Sequence, residues 1–157
     1  MHGTPPATQS PGDQNLHHGT VLAFDFGERR MGVAIGDLAL RIAHPLETID
    51  CAMRDQRFER IAALVSQWNP VGFVVGLPLN VDGSEHSLAP AVRAFADELR
   101  RRFGIVATLV DERFTSAQAV DSLREAGVRG KAQKQYLDQV AASSILEDFF
   151  AHDDSAA

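Results

Sequence analysis

The sequence alternates short apolar runs with longer segments of helical periodicity, and this alternation constrains the fold more than any other feature. The clearest runs are Val21–Phe24, Met31–Ile35, Val71–Gly76 and Ile105–Val110. Short apolar runs bounded by turn residues predict buried β-strands, and the periodic segments between them predict helices. Strands that alternate with helices predict a mixed α/β sheet with helices packed against it.

The order of the predicted elements follows from the same pattern. The first two runs form a hairpin around a charged turn, and residues 41–50 supply a third antiparallel strand. The remaining elements alternate as helix 54–68, strand 71–76, helix 88–103, strand 105–110, a helix from Thr115 to Gly127 and a last helix 135–150. Gln118 stands three residues after Thr115 in a capping-box arrangement, and Gly127 is a natural C-terminal stop.

Length and composition indicate one ordinary globular domain. The chain has 157 residues, of which 45% are hydrophobic. We expect a disordered arm over residues 1–19, a domain over 20–150 and a flexible tail over 151–157. No apolar stretch approaches the roughly 18 residues that span a bilayer, and no signal peptide is visible. One cysteine, Cys51, excludes internal disulfides and suits the cytoplasm, where we expect the protein.

Three acidic residues stand at the edges of these elements. Asp25 ends the first apolar run, Glu112 follows the strand 105–110, and Asp138 lies one position from the apolar stripe of the last helix. Small alanines at 141 and 142 would let that helix approach the sheet closely. Ionised carboxylates are rarely buried without a partner, and they suit hard cations such as Mg²⁺ or Mn²⁺. Acids gathered at one sheet edge therefore favour metal-dependent phosphate chemistry.

Each acid also has an ordinary structural explanation, which the pattern alone leaves open. Asp25 would cap a turn, as Asp-x-Gly sequences commonly do. Glu112 would pair with Arg113 or with Arg29. Asp138 would be a first-turn helix acid favoured by the helix dipole.

Cations cluster near these acids although the chain carries a net charge of −6, which argues against indiscriminate polyanion binding. Arg29 and Arg30 lie in the first turn, and Arg113 follows Glu112. The stretch 126–137 holds Arg129, Lys131 and Lys134 and no acid. For that stretch, phosphate contacts and a solvated loop are both open interpretations.

Five strings in order resemble the YqgF family, the Holliday-junction-resolvase-like proteins of bacteria regarded as pre-16S rRNA nucleases. They are Leu22–Gly27, Met31–Gly36, Val74–Asn80 with Asp82–Gly83, Asp111–Thr115 and Asp138–Ala142. Single strings are weak signals, but five at matching spacing are specific. The resemblance spans about residues 20–150. It implies an RNase H-like fold, with a five-stranded mixed sheet whose first three strands are antiparallel, flanked by helices.

The resemblance also implies residue roles. Asp25, Glu112 and Asp138 would be the catalytic residues and the ligands of one or two Mg²⁺ or Mn²⁺ ions. Arg29, Arg30, Asn80 and Arg113 would contact nucleic acid on this basis, and the charge pattern adds Arg129, Lys131 and Lys134. The fourth strand lacks the acid that true junction resolvases of this fold carry there, and position 141 is alanine, so the number of ions stays open. His86 or Asp82 would supplement the site.

Several functions remain in competition at this stage. The first is a cytoplasmic nuclease that matures the 5′ end of 16S rRNA, with structured precursor rRNA as substrate. The alternatives are a DNA nuclease or Holliday junction resolvase in repair and recombination, cutting junctions or single strands, and a non-catalytic nucleic-acid-binding module. A nucleotide-dependent phosphotransferase of the actin-like type needs two such domains, and this chain is too short. Both a monomer and a homodimer are compatible with the sequence, and no membrane partner is expected.

Overall fold

The structure is a computed structural model that describes residues 18–112 and 130–152. Several sequence-based expectations fall outside these residues and stay predictions. They are most of the N-terminal arm, residues 153–157 of the tail, the helix from Thr115 to Gly127, and the two cations Arg113 and Arg129.

The described residues form a five-stranded sheet in the order β3-β2-β1-β4-β5. The strands are β1 (Thr20–Asp25), β2 (Arg30–Asp37), β3 (Ile42–Asp50), β4 (Gly72–Leu77) and β5 (Val106–Asp111). Strands β1, β2 and β3 pair antiparallel, whereas β4 pairs parallel with both β1 and β5. This arrangement confirms the predicted mixed sheet with three antiparallel strands first. The carboxyl ends of β1, β4 and β5 consequently lie along one edge of the sheet.

Helices cover both faces of the sheet. In the described part of the chain they are α1 (Arg54–Trp68), α2 (Ala89–Phe103) and α3 (Lys131–His152). Strand residues alternate between the two faces, so that Leu22 and Phe24 of β1 join the core beneath α1 and α2. Val21 and Ala23 join the second core, beneath α3. None of the helices in residues 18–112 and 130–152 is long and apolar enough to cross a membrane.

The last helix begins four residues earlier than the sequence pattern predicts, at Lys131 instead of Gln135, and ends at His152 instead of Phe150. Gly130, with a φ of 88°, precedes the first turn of the helix, and residues 131–152 contain no glycine or proline that would disfavour a helix. The helix is anchored on the sheet here, because Thr48 of β3 donates a hydrogen bond to the Gln135 carbonyl. Lys131 and Lys134 therefore lie in a helical first turn, and the loop interpretation of these two residues is wrong.

Candidate active site

The structure brings the three predicted acids to one cleft of about 490 Å³. Asp25 lies at the end of β1, Glu112 directly after β5, and Asp138 in the eighth position of α3. We call this the acidic cleft. Its other lining residues include Arg29, Arg30, Gly76, Pro78 and His86. Parallel strands explain the gathering of Asp25 and Glu112, since both follow strands that point to the same sheet edge.

The turn after Asp25 requires a glycine, and a buried arginine of α1 donates hydrogen bonds to backbone carbonyls in and near this turn. A Cβ atom on Gly27 would lie 2.2 Å from the carbonyl oxygen of Arg30, so the turn closes only around glycine. Arg57 of α1 donates hydrogen bonds to the carbonyls of Glu28 at 3.2 Å and Cys51 at 3.1 Å. Its guanidinium also lies 5.3 Å from the centre of the Phe26 ring. Burial lowers the pKa of Arg57 from its ordinary value.

Glu112 is placed by the absence of a side chain on β4. Its backbone N–H donates to the Leu77 carbonyl at 3.0 Å, which continues the ladder past the end of β5. A Cβ atom on Gly76 would lie 2.6 Å from Oε2 of Glu112 and 2.6 Å from Cδ1 of Ile145. The Glu112 carboxylate therefore occupies the space that a side chain at position 76 would fill.

A glycine on β2 gives Asp138 its position in a similar way. Gly32 is the register partner of Asp25, and a Cβ atom there would lie 1.8 Å from the carbonyl oxygen of Asp138. The backbone of α3 therefore rests directly on Gly32. Ala141 and Ala142 continue the contact one turn later, and both are fully buried. The predicted close approach of the helix depends on glycine in the sheet as much as on alanine in the helix.

Asp138 is a buried acid with a cationic partner. Only 6% of its surface is exposed, and its Oδ2 accepts a hydrogen bond from Nε of Arg30 at 2.8 Å. Since it lies in the third turn of a buried helix face, its explanation as an ordinary first-turn acid is wrong. A charged partner is what a buried carboxylate requires, and Arg30 also lines the cleft.

The chemical type of the donor atoms suits a hard divalent cation. Three carboxylates line one cleft, and oxygen atoms are the ligands that Mg²⁺ and Mn²⁺ prefer. Among residues 18–112 and 130–152, however, no three His, Cys, Asp or Glu side chains are close enough to form a ready-made site.

A second, basic cleft of about 440 Å³ adjoins the acidic one, because Arg29 and Arg30 line both. Lys131 and Lys134 line it from the first turn of α3, and Asp50 lies at its edge. Nζ of Lys131 lies 3.4 Å from Oδ2 of Asp50, which holds this end of the helix against β3. Four cations face one acid there, so the cleft has the charge to contact phosphate.

Asn80 lies in the turn of the loop between β4 and α2. Its side-chain amide donates hydrogen bonds to Oγ of Ser84 at 3.0 Å and to the Glu85 carbonyl at 3.3 Å. Asp82 accepts hydrogen bonds from the hydroxyl and the backbone N–H of Ser84, and these bonds lower the pKa of Asp82. Both residues close the loop, and neither lines the acidic cleft. Of the loop residues weighed as supplements to the site, His86 lines it.

Gly32 and Gly76 are functional positions that the sequence reasoning missed, as is the pairing of Arg30 with Asp138. A signal for the glycines does exist in the sequence. Each lies in an apolar run, and strand alternation puts Gly32 opposite Asp25 on the α3 face. A glycine inside a strand commonly marks the close approach of another backbone.

The sequence was compared with known protein families and curated proteins. The family model RuvX, described as Holliday junction resolvase, matches residues 19–152. A protein from Nitrosospira multiformis named "Putative pre-16S rRNA nuclease" is 53% identical over 85% of this chain and 89% of its own. A protein of the same name from Chromobacterium violaceum is 55% identical over 82% of this chain and 95% of its own.

The fold was also compared with solved structures. A structure of T. thermophilus RuvC in complex with a Holliday junction substrate matches with a TM-score of 0.51 and 14% identity. The match covers 88% of this chain and 98% of that one. At this identity the likeness concerns the fold alone, and it confirms the predicted RNase H-like architecture.

Proposed function

The chain belongs to the RuvX family, the YqgF-like resolvase family, and we propose that it is a divalent-metal-dependent nuclease of precursor 16S rRNA. The observation that carries the proposal is the convergence of Asp25, Glu112 and Asp138 in one cleft, with a basic cleft beside it. Carboxylates repel phosphate unless a cation lies between the two groups. Three carboxylates in one cleft would therefore weaken the binding of nucleic acid to a surface that holds no metal ion. The names of the curated relatives supply the substrate. Because precursor rRNA of bacteria is processed in the cytoplasm, we place the protein there.

The side chains divide into two groups by charge. Asp25, Glu112 and Asp138 would hold one or two Mg²⁺ or Mn²⁺ ions at the sheet edge. Such an ion activates water and neutralises the charge of the phosphoryl group during in-line displacement. Arg30 would orient the Asp138 carboxylate, to which it is already hydrogen-bonded. Arg29, Lys131 and Lys134 would position the neighbouring phosphate of the strand in the basic cleft, as point contacts without sequence preference.

A second candidate substrate is a four-way DNA junction. The description of the matching family, Holliday junction resolvase, favours it. Phosphate contacts of the kind that the basic cleft offers do not distinguish RNA from DNA, since both carry the same phosphate. The choice between the two substrates is therefore a question for a cleavage assay.

The assay uses end-labelled 5′-extended 16S precursor RNA, single-stranded RNA, single-stranded DNA and a four-way junction. Each is incubated with Mn²⁺, Mg²⁺ or EDTA. Asp25→Asn removes one proposed ligand, and Asp111→Asn is the matched control, because Asp111 is an exposed acid at the end of β5 that does not line the cleft. We expect the wild type and Asp111→Asn to cut the precursor with either metal. Asp25→Asn should bind the precursor but not cut it.

Three other results would change the conclusion. Preferred cutting of the junction would move the protein to the second candidate function. Equal cutting by the wild type and Asp25→Asn would refute the assignment of the site. Binding of nucleic acid by both proteins in EDTA, without cutting under any metal, would refute the nuclease and leave the binding module.

A further inference from the structure

His86 lies in the acidic cleft and is held in place by three hydrogen bonds at the start of α2. Its backbone N–H donates to the Pro78 carbonyl at 3.3 Å, and its carbonyl accepts from the N–H of Ala89 at 2.9 Å. The N–H of Leu88 donates to Nδ1 of the His86 ring at 3.0 Å. The ring is exposed to solvent, and the bond from Leu88 orients it relative to the loop.

In a neutral ring, the bond from Leu88 favours one of the two tautomers. A backbone N–H is only a donor, so Nδ1 must accept, and in neutral imidazole the proton is then on Nε2. Protonation of Nδ1 would place two donors against each other. The ring nitrogen that the Leu88 bond leaves unused is therefore an N–H donor, on a residue that lines the cleft.

This tautomer disfavours direct coordination of a metal ion by His86, the role weighed for it in the sequence analysis. A metal ion needs the lone pair of a ring nitrogen, and Nδ1 already uses its lone pair on Leu88 while Nε2 carries a proton. The same N–H suits an anionic oxygen. In a cleft that also holds Asp25 and Glu112, the anionic group of a substrate is its phosphate.

We infer that the Nε2–H group of His86 donates a hydrogen bond to a non-bridging oxygen of the phosphodiester being cut, and that His86 is not a metal ligand. This role rests on the proposed nuclease function. Negative charge on those oxygens must be stabilised as the attacking water approaches, and a donor fixed in advance stabilises it without reorganisation. The ring donates a hydrogen bond and transfers no proton in the step.

Two variants test the roles of the two ring nitrogens, Nδ1 and Nε2, separately. His86→Asn keeps an acceptor where Nδ1 lies and so retains the bond from Leu88, but it loses the Nε2 donor. His86→Gln places an amide N–H near the position of Nε2. His44→Asn is the control, since His44 is an exposed histidine on β3, away from the cleft. The readouts are the single-turnover rate at saturating substrate, the Mn²⁺ affinity and the melting temperature.

We expect His86→Asn to slow cleavage about 10- to 100-fold, the effect of one hydrogen bond to a charged group. His86→Gln should recover part of this loss, because it restores a donor near Nε2 but not the acceptor for Leu88, and both variants should keep the Mn²⁺ affinity. Wild-type cleavage by His86→Asn would overturn the inference. Weaker Mn²⁺ binding in His86→Asn would identify a metal ligand, and an equal loss in both variants with a lower melting temperature would identify a structural role.

The ring can also be observed without cleavage, by ¹⁵N NMR of the labelled protein. The chain has six histidines, and the signal missing from His86→Asn identifies the one of interest. We expect Nε2 to be protonated and to shift when a dinucleotide phosphodiester is added, with no shift for the uncharged methylphosphonate. A proton on Nδ1, or no response to the phosphodiester, would overturn the inference. A response in a protein that cuts no nucleic acid would support His86 as a phosphate contact while the nuclease proposal fails.

Discussion

Gly32→Ala tests whether the contact between β2 and α3 places Asp138, one of the three proposed metal ligands. The added Cβ atom would lie 1.8 Å from the carbonyl oxygen of Asp138, 2.3 Å from its carbonyl carbon and 3.0 Å from the backbone nitrogen of Gln139. All three atoms belong to the backbone, so no side-chain rotation relieves the overlap. A carbon and an oxygen approach comfortably to about 3.3 Å. Helix α3 must therefore retreat by roughly 1.5 Å at Asp138.

Two effects follow from that displacement. Overpacking of this kind costs about 2–3 kcal/mol. In a chain of this size each kcal/mol lowers the melting temperature by about 2–4 °C, so we expect a loss of about 5–10 °C. A reacting group misplaced by ~1 Å costs about 100-fold in rate, and we expect cleavage to fall by that factor even at temperatures where the variant is fully folded.

Gly72→Ala is the matched control. It makes the same substitution on the same face of the sheet, but the nearest atoms to its Cβ are Cγ1 of Val106 at 3.6 Å and Cγ2 of Val21 at 3.8 Å. These are ordinary contacts, so this variant should melt at or slightly above the wild-type temperature, because alanine restricts the unfolded chain. Melting is followed by circular dichroism and cleavage by single turnover at 25 °C. Equal melting temperatures and rates for the two variants would refute the role of the Gly32 contact, and a loss of stability with an unchanged rate would refute its role in placing Asp138.

Three further predictions concern other parts of the structure. Gly76→Ala should slow cleavage but lower the melting temperature less than Gly32→Ala does, because its Cβ meets the ends of two side chains, Glu112 and Ile145, whereas a Cβ at position 32 meets backbone atoms. Replacing Lys131 and Lys134 with Gln should reduce the salt dependence of RNA binding, measured as the slope of log affinity against log salt, by about 1 for each phosphate that the protein no longer neutralises. Burial raises the pKa of Asp148 from its ordinary value of 3.8, so ionisation of Asp148 destabilises the fold as the pH rises above about 4. Asp148→Asn should therefore melt higher than the wild type at pH 7, and this gain should vanish below about pH 4.

Local pattern was sufficient to predict much of the fold. Helix α1 runs from Arg54 to Trp68 as the apolar spacing predicts, because the helix has one buried face and Asn69-Pro70 ends it. The positions of Asp25 and Glu112 at one edge follow from strand direction alone. Both features depend on residues that are close in sequence or on the general geometry of parallel strands.

Other features depend on contacts between residues far apart in sequence, which local pattern does not encode. Arg30 pairs with Asp138 across 108 positions. The beginning of α3 is stabilised by Thr48 and Asp50 of β3, more than 80 positions away from their helix partners. A sequence pattern predicts that Lys131 is polar and exposed. It does not show that packing against β3 carries this residue into a helical turn beside the acidic cleft.

Glycines in the neighbouring strands leave open the space that two acids of the cleft occupy. Glu112 occupies the space above Gly76, and the backbone of Asp138 rests on Gly32, the register partner of Asp25. A larger residue at either glycine would displace an acid without changing it chemically. The glycines should therefore tolerate substitution as poorly as the carboxylates themselves. An acid at the end of a strand indicates a site more strongly when the same face of the adjacent strands carries glycine, since that space is where a second acid can approach.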